Sequence, residues 1–204
     1  MARKRVAVLI SGRGSNMTAL INAARDAGYP AEIVLVMSNK AEAAGLDFAR
    51  AMGIATAVIE HRTFGKDRAA FDAALQATLE AHKVEIVCLA GFMRLLTPEL
   101  CEKWTGRMIN IHPALLPSFK GLDTHQRAID AGVRIHGCTT HFVTPGMDEG
   151  PIILQAAVPV LESDTEEDLA LRVLQEEHRI YPLTLKLLAT GALEIIGNKV
   201  SGAG

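Results

Sequence analysis

The chain has 204 residues, 49% of them hydrophobic and 22% charged, which is enough to bury one sizeable core and ordinary for a globular protein. Its formal net charge of -2 gives no reason to expect nucleic-acid binding. Cys88, Cys101 and Cys138 are widely spaced and form no CxxC pair, which argues against a disulfide framework or a structural zinc site and suits a reducing cytosol.

The apolar stretch "VAVLISGRGS" near the N-terminus is too short to span a bilayer and lacks a signal peptide's cleavage pattern. A cytoplasmic protein without membrane contact is expected. Short, nearly continuous apolar runs at 5–10, 32–37, 56–59 and 85–90 predict strands covered on both faces, as in a parallel sheet. Between them, helical spacing of apolar residues predicts helices over 16–28, 41–53 and 66–82, with Gly28 and Gly53 as stops. This alternation implies right-handed crossovers and an open α/β sheet. Further on, strands are predicted at 107–112, 136–143 and 151–160, and a short helix over 123–132. A long final helix over 165–191 is expected, capped by Thr165 with Asp168 and kinked at Pro182, before a frayed tail "NKVSGAG". There are no repeats or linkers, so one domain over 1–204 is expected.

Two stretches carry the chemistry. "SGRGSN", residues 11–16, lies between the first strand and first helix, where glycines let backbone N–H groups converge on an anion. Met17 replaces the last glycine of G-x-G-x-x-G, and no Gly-Lys-Ser/Thr ending follows, so a monophosphate suits the loop better than a dinucleotide. The alternative is a tight turn in which Ser15 or Asn16 caps a helix. In "NIHPALLPSF", residues 110–119, Asn110 and His112 are two apart at a strand end and should share one face. An amide and a charged imidazole together can stabilise an oxyanion, as acyl or formyl transfer to an amine requires. Asp148, in the loop "TPGMDEG", is the candidate carboxylate to favour the charged ring, with Glu149, Asp123, His125 and His141 as rivals. Flanking glycines 146 and 150 suggest that this loop needs unusual backbone angles. His136 and His141 differ in parity and should face opposite sides of their strand. No metal-ligand spacing and no G-x-S-x-G elbow occurs. Arg94 follows a buried strand at its carboxyl end, where ligands of α/β sheets sit.

Taken together, "VLISGRGSN", "VMSNKAEAAGLDFA", "LAGFMRLLTPE", "NIHPALLPSFKGLDTH", "HGCTTHFVTPGMDEGPIILQ" and "EEHRIYP" resemble, in this order and nearly end to end, the phosphoribosylglycinamide formyltransferase family. The resemblance implies a formyltransferase-like α/β fold: an open, mostly parallel twisted sheet with helices on both faces and a Rossmann-like first half. Residues to about 100 would form the phosphate-binding half, and those from about 101 the catalytic and folate-binding half. It implies transfer of the formyl group of 10-formyltetrahydrofolate to the amine of glycinamide ribonucleotide in purine biosynthesis. It also implies no metal, nucleic acid or membrane, and a monomer or homodimer. Gly14, Ser15 and Asn16 match the substrate-phosphate loop, and Glu177 a carboxylate for the ribose hydroxyls. Arg68, Met93, Arg94, Leu95, Leu96 and Asn110 match the folate site. Asn110, His112 and Asp148 match the catalytic trio, and Leu116–Pro117 matches a cis-proline turn. Cys138 stands where a small hydroxyl residue is expected, and Arg13 and Lys120 fall where the family varies.

Competing readings are weaker. A 10-formyltetrahydrofolate hydrolase would carry a regulatory domain ahead of a strand that here begins at about residue 5, and a methionyl-tRNA formyltransferase would be longer and basic. A non-catalytic nucleotide-binding module would leave Asn110, His112 and Asp148 without a shared task. A nicotinamide dehydrogenase would need the complete glycine fingerprint.

Overall fold

The computed structural model describes residues 2–203. In chain order the strands are β1 (Lys4–Ile10), β2 (Ala31–Ser38), β3 (Ala55–Val58), β4 (Ile86–Leu89), β5 (Met108–His112), β6 (Ile135–Phe142), β7 (Ile152–Pro159), β8 (Glu194–Ile196) and β9 (Lys199–Ser201). The helices are α1 (Ser15–Ala24), α2 (Gly45–Ala51), α3 (Arg68–Ala81), α4 (Pro98–Lys103), α5 (Thr124–Asp130) and α6 (Glu166–Ala189). A 3-10 turn, His61–Phe64, follows β3.

All nine strands join one sheet in the order β3-β2-β1-β4-β5-β6-β7-β9-β8. The pairs from β3 to β5 are parallel, and β6 runs antiparallel to both β5 and β7. Side-chain alternation in β1 explains its apolar sequence. Val6, Val8 and Ile10 join one core with Leu20 of α1 and Val173 and Tyr181 of α6. Ala7 and Leu9 join the other core with Leu75 and Leu79 of α3 and Trp104 beyond α4. A strand buried on both faces has no solvent side for polar residues.

Helix α6 begins with the expected capping box: Thr165 Oγ1 accepts from Asp168 N at 3.2 Å, and Asp168 Oδ2 accepts from Thr165 N at 3.0 Å. It runs on through Pro182 to Ala189. Leu169, Val173, Ile180, Tyr181 and Leu185 form its buried stripe, at the spacing of one helix face. The Tyr181 hydroxyl reaches the carbonyls of Leu89 and Ile109 at 2.8 and 3.1 Å, tying the helix to the ends of both β4 and β5.

Four local expectations need correction. Helix α1 stops at Ala24, not Gly28: Asp26 takes over the backbone, accepting from Gly28 N through its side chain at 2.9 Å and from Tyr29 N through its carbonyl at 3.0 Å. The helix predicted over 41–53 begins only at Gly45, because the Gly45 N–H is committed to the Gly12 carbonyl at 3.1 Å. Gly53 does end it, with φ 73. The tail is no frayed end: β8 and β9 pair as a hairpin around Gly197, and Lys199 pairs with Ile152 of β7. Only Gly204 of that tail lies outside the described residues. Finally, Gly146 and Gly150 do not carry the unusual backbone angle of their loop; Asp148 does, at φ 53. Gly150 is required for another reason, since a Cβ there would lie 1.7 Å from the Phe142 carbonyl oxygen. Helix α4, not anticipated, has an ordinary local signal: Thr97 caps it, accepting from Leu100 N at 3.4 Å, and Pro98 opens it.

Candidate active site

The turn from β1 into α1 is an uncapped helix N-terminus. Gly14 occupies the cap position in the left-handed conformation, φ 72, and no side chain caps the first turn. The capping alternative for Ser15 and Asn16 is therefore not realised. The free N–H groups of this turn, with the positive end of the helix dipole behind them, suit a phosphate-sized anion. Ser11, Gly12, Arg13, Gly14, Ser15 and Asn16 line a cavity of about 270 Å³ together with Lys40 and Met93. Gly45 shapes it from behind, where a Cβ would lie 2.6 Å from Ile10 Cδ1 and 3.1 and 3.2 Å from the Arg13 and Gly12 carbonyls. Neither Gly45 nor Lys40 stood out in the sequence, because their importance comes from contact with a loop some thirty residues away.

Asn16 and Glu177, 161 residues apart, meet in the fold: Asn16 Nδ2 donates to Glu177 Oε2 at 2.7 Å, and both are buried. Burial pushes the Glu177 carboxyl above its ordinary range, opposed by that hydrogen bond. Asn16 Oδ1 is buried and without a protein partner.

The predicted convergence at the end of β5 is present, with one more member. His112 Nε2 donates to the Phe119 carbonyl at 2.9 Å, and its Nδ1 lies 3.4 Å from Asp148 Oδ2. Both partners are acceptors, and the contact with Asp148 becomes an ion pair when the ring is protonated. Asp148 is the carboxylate that reaches His112; Glu149 pairs instead with Lys120 at 2.8 Å, and His125 stacks edge-on with His136 at 5.3 Å between ring centroids. Asp123 caps α5 without a side-chain bond.

His141 is the residue that spacing only half disclosed. Register places it opposite Asn110 and Thr139 opposite His112, so the two pairs share a face. Thr140 turns the other way, to Thr184 of α6 at 2.8 Å, and His136 lies with Phe119 and His125, as the parity argument required. His141 Nδ1 donates to the Phe142 carbonyl at 2.8 Å, which leaves Nε2 as the acceptor for the Asn110 amide nitrogen at 3.2 Å. Burial lowers the pKa of this ring, in keeping with the neutral tautomer, while Asp148 Oδ1 at 3.7 Å acts in the opposite sense. The neutral histidine thus orients the amide, and Asn110 keeps a second N–H free to donate.

Asp148 is also held from outside. Its Oδ2 accepts from Gly121 N at 3.0 Å, which ties the 144–150 loop to the 118–124 segment. The Leu116–Pro117 bond between β5 and that segment is cis. Segment 93–96 runs beyond β4. Arg68 donates to the Leu96 carbonyl at 3.0 Å, and Arg94 lies over Phe71 of α3 at 5.8 Å. Met93 and Leu95 are exposed, whereas the Leu96 side chain belongs to the core. Cys138 is buried, and burial pushes its thiol up to about 12. Among the described residues, no group of three or more His, Cys, Asp or Glu converges as metal ligands would, and no helix is long and apolar enough to cross a membrane.

Residues 4–185 match the formyl transferase family. Over 193 residues the chain is 54% identical to the trifunctional purine biosynthetic protein adenosine-3 of Bos taurus, covering 95% of this chain and 19% of that protein. The chain thus spans less than a fifth of the length of the first curated relatives it matches. It is 44% identical over 193 residues to phosphoribosylglycinamide formyltransferase of Escherichia coli K12, covering 95% of this chain and 91% of the other. The crystal structure of glycinamide ribonucleotide transformylase 1 from Symbiobacterium toebii superposes with a TM-score of 0.94 at 48% identity, covering 97% of this chain and 93% of that one.

Proposed function

The chain belongs to the phosphoribosylglycinamide formyltransferases, for which 10-formyltetrahydrofolate is the formyl donor, and we propose that it transfers that formyl group to the amine of glycinamide ribonucleotide. The uncapped turn at Gly14, Ser15 and Asn16 binds the ribonucleotide phosphate, and Glu177, with Asn16, accepts from the ribose hydroxyls. Arg68, Met93, Arg94, Leu95 and Leu96 form the folate wall, and Asn110 completes it. Residues to about 100 thus supply phosphate binding and most of the folate wall, and those beyond about 101 the chemistry with Asn110 completing the folate site, in a cytoplasmic monomer or homodimer.

The observation that carries this reading is the shared carboxylate. Asp148 lies between His112 and His141, and His141 aims the Asn110 amide. As the amine attacks, the formyl oxygen gains charge. Asn110 donates its free N–H to that oxygen, and His112 donates through Nε2, exchanging the Phe119 carbonyl for the stronger acceptor. Asp148 faces the ring at Nδ1 and, through water, accepts the proton that the amine loses. That proton reaches the folate nitrogen as its bond to the formyl carbon breaks, giving tetrahydrofolate and formylglycinamide ribonucleotide. Holding both substrates side by side contributes the orientation term, worth about 7–11 kcal/mol in well-ordered sites.

The test mixes purified protein with both substrates and, in parallel, with 10-formyltetrahydrofolate alone. Tetrahydrofolate and formylated ribonucleotide should appear only in the complete mixture. Formate released without the ribonucleotide would make the chain a hydrolase and end the transferase reading.

A further inference from the structure

A row of hydrogen bonds crosses the carboxyl ends of four neighbouring parallel strands. His61 follows β3, Asn39 follows β2, Ser11 follows β1 and Met93 follows β4, which is the order of these strands in the sheet. His61 Nδ1 lies 2.8 Å from the Asn39 carbonyl, with Glu60 Oε1 at 3.5 Å. Both are acceptors, so Nδ1 carries the proton and pins the Asn39 backbone; Asn39 Nδ2, 3.2 Å from the same nitrogen, is then a packing contact. At the other end of its side chain, Asn39 Oδ1 accepts the Ser11 hydroxyl proton at 2.5 Å. A hydroxyl has one proton. With it committed to Asn39, the Ser11 lone pairs face Met93, and Met93 N donates to Ser11 Oγ at 2.8 Å.

Segment 93–96 needs such a tie. It has no regular structure, and the Met93 and Leu95 side chains are 62% and 60% exposed, so burial does not anchor them. Its far end is held by Arg68 at the Leu96 carbonyl and by Asp72 Oδ2 at Thr97 N, 2.6 Å away. Its near end is held through Ser11. Asn39 is 1% exposed and does not line the cavity at the glycine loop, so it acts only through Ser11.

We propose that Asn39 and Ser11 are positioning residues for the folate wall, with His61 fixing Asn39, so that the ribonucleotide side of the sheet sets the backbone on which the folate lies. This rests on the assignment of segment 93–96 to the folate.

Amide hydrogen exchange at 91–96 in the free protein tests the tie, and steady-state kinetics test its consequence. In Ser11→Ala and Asn39→Ala, Met93 should lose protection while α6 keeps its own, and KM for 10-formyltetrahydrofolate should rise about fivefold, the cost of one neutral hydrogen bond. The kcat should fall less than KM rises. Ser11→Thr, which keeps the hydroxyl, should restore both readouts, and His61→Ala should move them in the same direction by less. Ser11→Ala removes a single oxygen and serves if Asn39→Ala fails to fold. Unchanged Met93 exchange in Ser11→Ala overturns the proposal, as does lost protection with an unchanged folate KM. A parent enzyme without turnover would instead refute the transferase reading, and the exchange measurement would still decide whether the tie exists.

Discussion

The two halves of the candidate site offer different kinds of group. Along β1 and α1 the groups on offer are backbone N–H donors and a helix dipole, fixed by Gly14 and by the close approach of Gly45. Along β5 and β6 they are an amide, two imidazoles and a carboxylate within 3.7 Å of one another in sequence of contact. A backbone donor does not change state, so it can hold a phosphate but cannot move a proton. Side chains that exchange protons must meet face to face. The antiparallel pairing of β5 and β6 sets Asn110 opposite His141, and the 144–150 loop carries Asp148 back to His112.

Substitutions on the two sides should therefore fail in different ways. The largest effect is expected from His112→Ala, which should lower kcat about 100- to 1,000-fold in steady-state assays, with KM for the ribonucleotide little changed. Asp148→Asn should lower kcat by a smaller factor, since Phe119 and Asn110 remain in place. On the other side, Gly14→Ala places a Cβ at φ 72 and 3.1 Å from Met17 Cε. It should raise the ribonucleotide KM about tenfold through backbone strain, with kcat retained at saturation. A large fall in kcat at saturation in Gly14→Ala would erase the distinction between the halves.

Beneath the chemical half lies a titration that does not belong to it. Burial lowers His136 from 6.5 to about 4, and neighbouring His125 adds to the shift. The unfolded chain therefore binds more protons than the folded one in this window. The stabilisation is complete above about 6.5 and is lost as pH falls toward about 4. Urea midpoints should drop between pH 7 and pH 5, and His136→Phe should flatten that drop. The smallest effect is expected from Glu149→Gln, which breaks an exposed pair with Lys120. Thermal unfolding should register at most a slight drop in midpoint, since a solvent-exposed ion pair is largely screened.

Sequence patterns reached the strands of the first half because burial on both faces leaves continuous apolar runs, and they reached α6 because its cap and stripe are local. They reached Asn110 and His112 for the same reason, since two residues apart on a strand is a local relation. What they missed depends on pairing. His141 acquires its role from antiparallel register across thirty residues, and Gly45 from packing against a loop of another βα unit. Asn39 and His61 look like ordinary loop residues until the strand order aligns them. The tail looked frayed because three-residue strands carry almost no periodicity, and only the neighbouring edge of β7 gives β9 something to pair with.

The strand order has one more consequence. Both margins of the sheet are formed by short strands, β3 with four residues and β8 with three. A second molecule seeking to extend the ladder at β3 or at β8 finds only a few open backbone groups, although Ile196 on β8 is 60% exposed. The long, apolar β1 is paired on both sides, and the hairpin at the end of the chain covers the outer edge of β7 at Ile152, a blunt selvedge against edge-to-edge assembly.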